Sequence, residues 1–75
     1  MMISRYYAHI DIQTRMCIGI AGTNREVNRE DLIYIGNKHI DTYLGKYYYE
    51  SQWWDRKFDG ESYTDVKFVL DVDWL

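Results

Sequence analysis

A chain of 75 residues has the length of one domain, and folding at that size removes only about 60% of the unfolded chain's surface from water, which leaves no room for a deep catalytic cleft. Hydrophobic content of 47% with 28% charged residues is that of a folded protein and excludes a disordered one. The formal net charge of −3 sits in the second half: residues 1–40 carry five Lys/Arg against four Asp/Glu, and residues 41–75 carry four against eight. This argues against phosphate-driven binding of nucleic acid and for a basic protein as partner.

In chain order, residues 6–12 (YYAHIDI) alternate Tyr6, Ala8, Ile10 and Ile12 against Tyr7, His9 and Asp11, the period-two pattern of a strand. Gln13-Thr14 then leads into a second strand over residues 15–20, so the two form a hairpin. Residues 21–31 (AGTNREVNRED) are polar and turn-rich and predict a surface loop. Leu32 to Ile35 (LIYI) forms a short buried strand ended by Gly36-Asn37. Residues 38–44 suit one helical turn with Ile40, Tyr43 and Leu44 on one side and Gly45 as its stop. A strand over residues 46–49 (KYYY) turns near Glu50-Ser51-Gln52 into Trp53-Trp54.

The clearest signal comes last: Val66, Phe68, Leu70, Val72 and Trp74 alternate with Asp65, Lys67, Val69, Asp71 and Asp73, which predicts a ten-residue strand with one buried face. Asp59-Gly60 before it is a turn signal, because Gly accepts positive φ and Asp bonds to its own backbone, so residues 53–58 pair with this strand as a hairpin. With no Pro in the chain, nothing bars these runs from a ladder. The expectation is a mainly all-β single domain spanning residues 1–75, a small antiparallel sheet of five to six short strands with at most one short helix near residues 38–44.

Chemistry is sparse in this sequence. Cys17, the one cysteine, lies between Met16 and Ile18 and reads as a buried inert thiol in a reducing compartment. One Cys and the distant His9 and His39 do not make a zinc site, and the five scattered glycines make no phosphate loop. Ser4, His9 and Asp11 supply the residue types of a catalytic triad, but a spacing of two on a strand merely sets His9 and Asp11 on one face. The expectation is therefore no catalytic residue, metal or cofactor. Asp65, Asp71 and Asp73 form an outward carboxylate row, which could hold a divalent cation or imitate phosphate spacing; such rows more often keep a sheet edge from pairing. Thirteen aromatic residues exceed what a small core needs. Tyr47, Tyr48, Tyr49, Trp53 and Trp54 alternate between two faces, and Tyr and Trp are enriched at binding hot spots, so this group and the three aspartates are the candidate partner-binding residues, with a two-sided core as the equal alternative for the rings.

Three segments, YYAHIDIQTRMCIGI (residues 6–20), REVNREDLIYI (residues 25–35) and YLGKYYYESQWW (residues 43–54), together resemble a short β module of phage tail-fibre and baseplate-associated proteins and of small phage proteins of unassigned role. The resemblance implies a non-catalytic component that contacts a phage structural protein, with residues 61–75 as an addition to the module. The alternative is an acidic phage-encoded inhibitor, a nucleic-acid mimic whose Asp65, Asp71 and Asp73 occupy the basic groove of a host defence or regulatory protein. No apolar run approaches the roughly 18 residues that span a bilayer, and Met1-Met2-Ile3-Ser4-Arg5 lacks the apolar core of a signal peptide. Host cytoplasm or the virion is the expected location, with no membrane contact, and a thin core with open strand edges favours a homodimer.

Overall fold

The computed structural model describes residues 3–70. Six strands lie among them, β1 Arg5–Ile10, β2 Cys17–Thr23, β3 Leu32–Gly36, β4 Tyr47–Tyr49, β5 Gln52–Phe58 and β6 Tyr63–Lys67, with a 3-10 turn at Asp41–Tyr43. The protein is all-β. Its strands divide between two three-stranded antiparallel sheets, ordered β2-β1-β3 and β4-β5-β6.

β1 is the central strand of its sheet, so both of its edges are paired, and packing covers both of its faces. Ala8 and Ile10 point into the core with Cys17, against Ile20, Ile33 and Ile35 of the same sheet and Tyr43, Tyr48 and Trp53 beyond it. On the opposite face Tyr7 is also buried, because the chain between β2 and β3 crosses it: the Tyr7 hydroxyl accepts the Val27 N–H at 3.0 Å, and the ring lies 5.5 Å from Tyr34. Gly22 sits opposite Tyr6, where a Cβ would come within 2.9 Å of side-chain atoms of Tyr6 and Ile3. That close approach explains the lack of a side chain at this position.

The β1–β2 connection carries the joint between the sheets. Asp11 shapes it by accepting the Gln13 N–H at 2.8 Å through its carboxylate and the Arg15 N–H at 2.6 Å through its carbonyl. Beyond it Met16 bridges to Tyr47 in antiparallel fashion. Around that bridge Cys17 N–H donates to the Lys46 carbonyl, Gly45 N–H to the Cys17 carbonyl and Tyr48 N–H to the Arg15 carbonyl, at 2.8, 3.0 and 2.9 Å. The Arg15 side chain adds a bond from Nε to the Tyr48 carbonyl. Through this seam the strands run β3-β1-β2-β4-β5-β6.

Four expectations need correction. β2 starts at Cys17 and continues to Thr23, so residues 21–23 belong to a strand and not to a loop; pairing with Arg5, Tyr6 and Tyr7 outweighs the weak strand preference of Ala21 and Gly22. The helical turn shrinks to the 3-10 turn Asp41–Tyr43, closed by Leu44 N–H donating to the Asp41 carbonyl. Ile40 is buried beside it while Leu44 is 43% exposed, because Gly45 at φ +83 redirects the chain one residue later. The C-terminal strand ends at Lys67 instead of running ten residues; Asp71, Val72, Asp73 and Trp74 lie outside the described residues. Finally, Val66 is 49% exposed although alternation assigns it to the buried face. β4 covers only the start of β5, pairing with Gln52, Trp53 and Trp54, so the rest of the β5–β6 hairpin reaches past the core as a two-stranded arm.

Candidate protein-binding face of the second sheet

The registers of β4 with β5 and of β5 with β6 pair Tyr47 with Trp54, Arg56 with Asp65 and Phe58 with Tyr63. Alternation then places Tyr47, Tyr49, Trp54, Arg56, Phe58, Tyr63 and Asp65 on one face, while Tyr48 and Trp53 point the other way, to the core. The predicted aromatic group is therefore split. Tyr48 and Trp53 touch at 5.0 Å, and Trp53 meets Tyr43 at 4.6 Å, so these two serve the core. Tyr47, Tyr49 and Trp54 belong to the outer face.

Arg56 organises that face. Its guanidinium lies 3.8 Å from the centroid of the Tyr47 ring, the cation–π geometry, and donates from Nε to Asp65 Oδ1 at 2.7 Å and from Nη2 to Asp65 Oδ2 at 3.0 Å. The bidentate fork fixes the planes of both groups. Tyr49 hydroxyl donates to Asp65 Oδ2 at 2.6 Å, and the Tyr49 ring stacks on Trp54 at 5.1 Å and 14°, with Trp54 Nε1 donating to the Tyr49 carbonyl. The hydrogen bonds from Arg56, then from Tyr49, hold the Asp65 carboxyl down to about 2. The same pairing raises Arg56, and the bond to Asp65 raises the Tyr49 phenol.

Toward the tip, Phe58 and Tyr63 face each other at 4.9 Å yet remain 58% and 69% exposed. The turn beyond them is fixed by the Asp59 carboxylate, which accepts the N–H groups of Glu61 and Ser62 at 2.9 and 3.0 Å. Those bonds, Ser62 first, lower the Asp59 carboxyl. On the core-side face Asp55 is flanked by Lys57 at 2.8 Å and Lys46 at 3.7 Å, and its carboxyl is lowered chiefly by the Lys57 hydrogen bond.

Of the predicted site residues, Tyr47, Tyr49, Trp54 and Asp65 come together, Tyr48 and Trp53 do not, and Asp71 and Asp73 fall outside the described residues. The three residues that sequence reasoning missed are Arg56, Phe58 and Tyr63. A signal for them existed: a four-residue loop around Asp59-Gly60 sets Phe58 opposite Tyr63 and therefore Arg56 opposite Asp65. Elsewhere, Cys17 is buried and burial pushes its thiol up, the reverse of what thiolate chemistry requires. His9 and Asp31 meet at 3.3 Å, and neither Ser4 nor Asp11 is joined to His9 by a hydrogen bond. Among the described residues no pocket opens and no three His, Cys, Asp or Glu side chains converge as metal ligands. No family model, curated protein or solved structure matches this chain.

Proposed function

We propose that this chain is a non-catalytic protein–protein interaction module of phage type, a small tail- or baseplate-associated component that contacts its partner through the outer face of β4-β5-β6. The observation that supports the contact surface is the Phe58–Tyr63 ring pair, more than half exposed on a strand pair clamped by Arg56 and Asp65. Burying the apolar surface of exposed rings is favourable, and a rigid base reduces the ordering entropy lost on binding. The phage setting rests on the sequence resemblance over residues 6–54.

The inhibitor reading draws support from the acidic second half. Asp65, one of its three aspartates, is already engaged by an internal arginine and a tyrosine, so the geometry favours the aromatic face. Mass spectrometry of purified particles tests the setting: the chain is expected among the structural components, and its absence removes the tail assignment. For the surface, the Phe58→Ala/Tyr63→Ala double variant is expected to lose partner capture by roughly tenfold or more at unchanged folding. Capture at wild-type strength relocates the contact.

A further inference from the structure

β6 is the outer strand of its sheet, with no strand paired to its outward edge among the described residues, and that edge is self-complementary in one register. We propose that two copies of the chain join β6 to β6 in antiparallel fashion about a two-fold axis at Val66, making one continuous six-stranded sheet. This contact uses the edge of the sheet and holds whatever the outer face binds.

The backbone decides which residues take part. Phe68 N–H donates to the Trp53 carbonyl and Asp59 N–H to the Ser62 carbonyl, so the hydrogen-bonded pairs of the hairpin fall on every second residue between them. The intervening residues of β6, Tyr63, Asp65 and Lys67, direct their N–H and C=O groups to the open edge. An antiparallel partner strand must satisfy those three, and the side chains select the register. An axis at Asp65 sets Asp65 against Asp65 of the second copy, a like-charge apposition. An axis at Val66 sets Lys67 against Asp65 of the second copy, twice by symmetry. It also sets Tyr63 against Val69, 69% and 73% exposed, and Val66 against itself. The exposed apolar side chains along this edge, Tyr63, Val66 and Val69, thus each acquire an apolar neighbour. The Asp65 carboxylate retains capacity for a further donor, since Oδ1 accepts one bond and Oδ2 two.

Sedimentation velocity of the full chain across a concentration series tests the association. A concentration-dependent dimer is expected, weakened at least tenfold by Lys67→Asp, which apposes two acids at each end, and by Val66→Lys, which puts two cations on the axis. A wild-type chain that stays monomeric throughout the series overturns the proposal. Register is read separately by mild oxidation of single-cysteine additions. Val66→Cys meets its own copy in a non-hydrogen-bonded pair, where Cα atoms about 4.5 Å apart fall within the disulfide range. It is expected to cross-link at least tenfold faster than Thr64→Cys, which lies opposite Phe68. Equal rates for the two variants rule out the axis at Val66.

Discussion

Asp65 accepts two hydrogen bonds from Arg56 and one from Tyr49, and this places a proton-linked element of stability in the arm. The folded carboxyl lies at about 2 against an ordinary value of 3.8. A depressed carboxyl stabilises the fold fully above its unfolded value, and the contribution is lost as pH falls from there through the folded value. The outer face is therefore expected to loosen between about pH 4 and pH 2, read by fluorescence of Trp54, whose ring stacks on Tyr49. Asp65→Asn keeps the shape but not the ionisation, so it should weaken the arm at neutral pH and flatten its acid response. An unchanged acid transition in that variant would assign the loss to Asp55 or Asp59, whose carboxyls are also lowered. The sequence shows Asp65 as one member of an acidic row; it does not show that the neighbour two strand positions before the Phe58–Tyr63 pair is its counter-ion, because that depends on register.

At the scale of elements, the β4–β5 hairpin closes through Glu50 and Ser51, both at positive φ (53° and 59°), between the paired residues Tyr49 and Gln52. Two-residue loops of this kind favour Asn-Gly, because ordinary residues pay for the left-handed region with steric strain. Glu50→Asn with Ser51→Gly is expected to stabilise the protein by about 1 kcal/mol, a rise in melting temperature of roughly 4–8 °C, measured by thermal denaturation. No gain would mean that Glu50 or Ser51 contributes contacts that offset the strain. Strand existence, hairpin pairing and the position of this turn were legible because alternation and turn residues are local signals. The depth of burial was not. Val66 and Phe68 have the same periodicity, but only Phe68 reaches the core-side rings, meeting Tyr43 at 5.9 Å, while Val66 pairs with Asp55 on the arm. Periodicity reveals that a strand has two faces, and only the neighbouring strands determine whether either is covered. The division into two sheets was hidden for the same reason, since the Met16–Tyr47 bridge links residues 31 positions apart.

Across the whole molecule, the arrangement separates a shared core from a projecting arm. A chain of this length has total stability of roughly 4–11 kcal/mol, so core losses weigh heavily. Ile10, 1% exposed, lies where the first sheet meets Tyr48 and Trp53 of the second, and Ile10→Ala is expected to cost about 2–5 kcal/mol. Phe58→Ala removes a ring that is mostly in water and loses at most about 1.5 kcal/mol of ring-pair energy. Urea unfolding distinguishes the two: a large midpoint shift for the first and a small one for the second, each at unchanged slope. Because residues of both sheets pack on one cluster, tryptophan fluorescence and far-ultraviolet circular dichroism should report coincident transitions, as two-state unfolding requires. Two separated transitions would show that the seam at Met16 and Tyr47 joins the sheets without coupling them. Coincident ones, with Phe58→Ala barely displaced, would leave the exposed rings without a role in holding the fold together, and free to vary with whatever they meet.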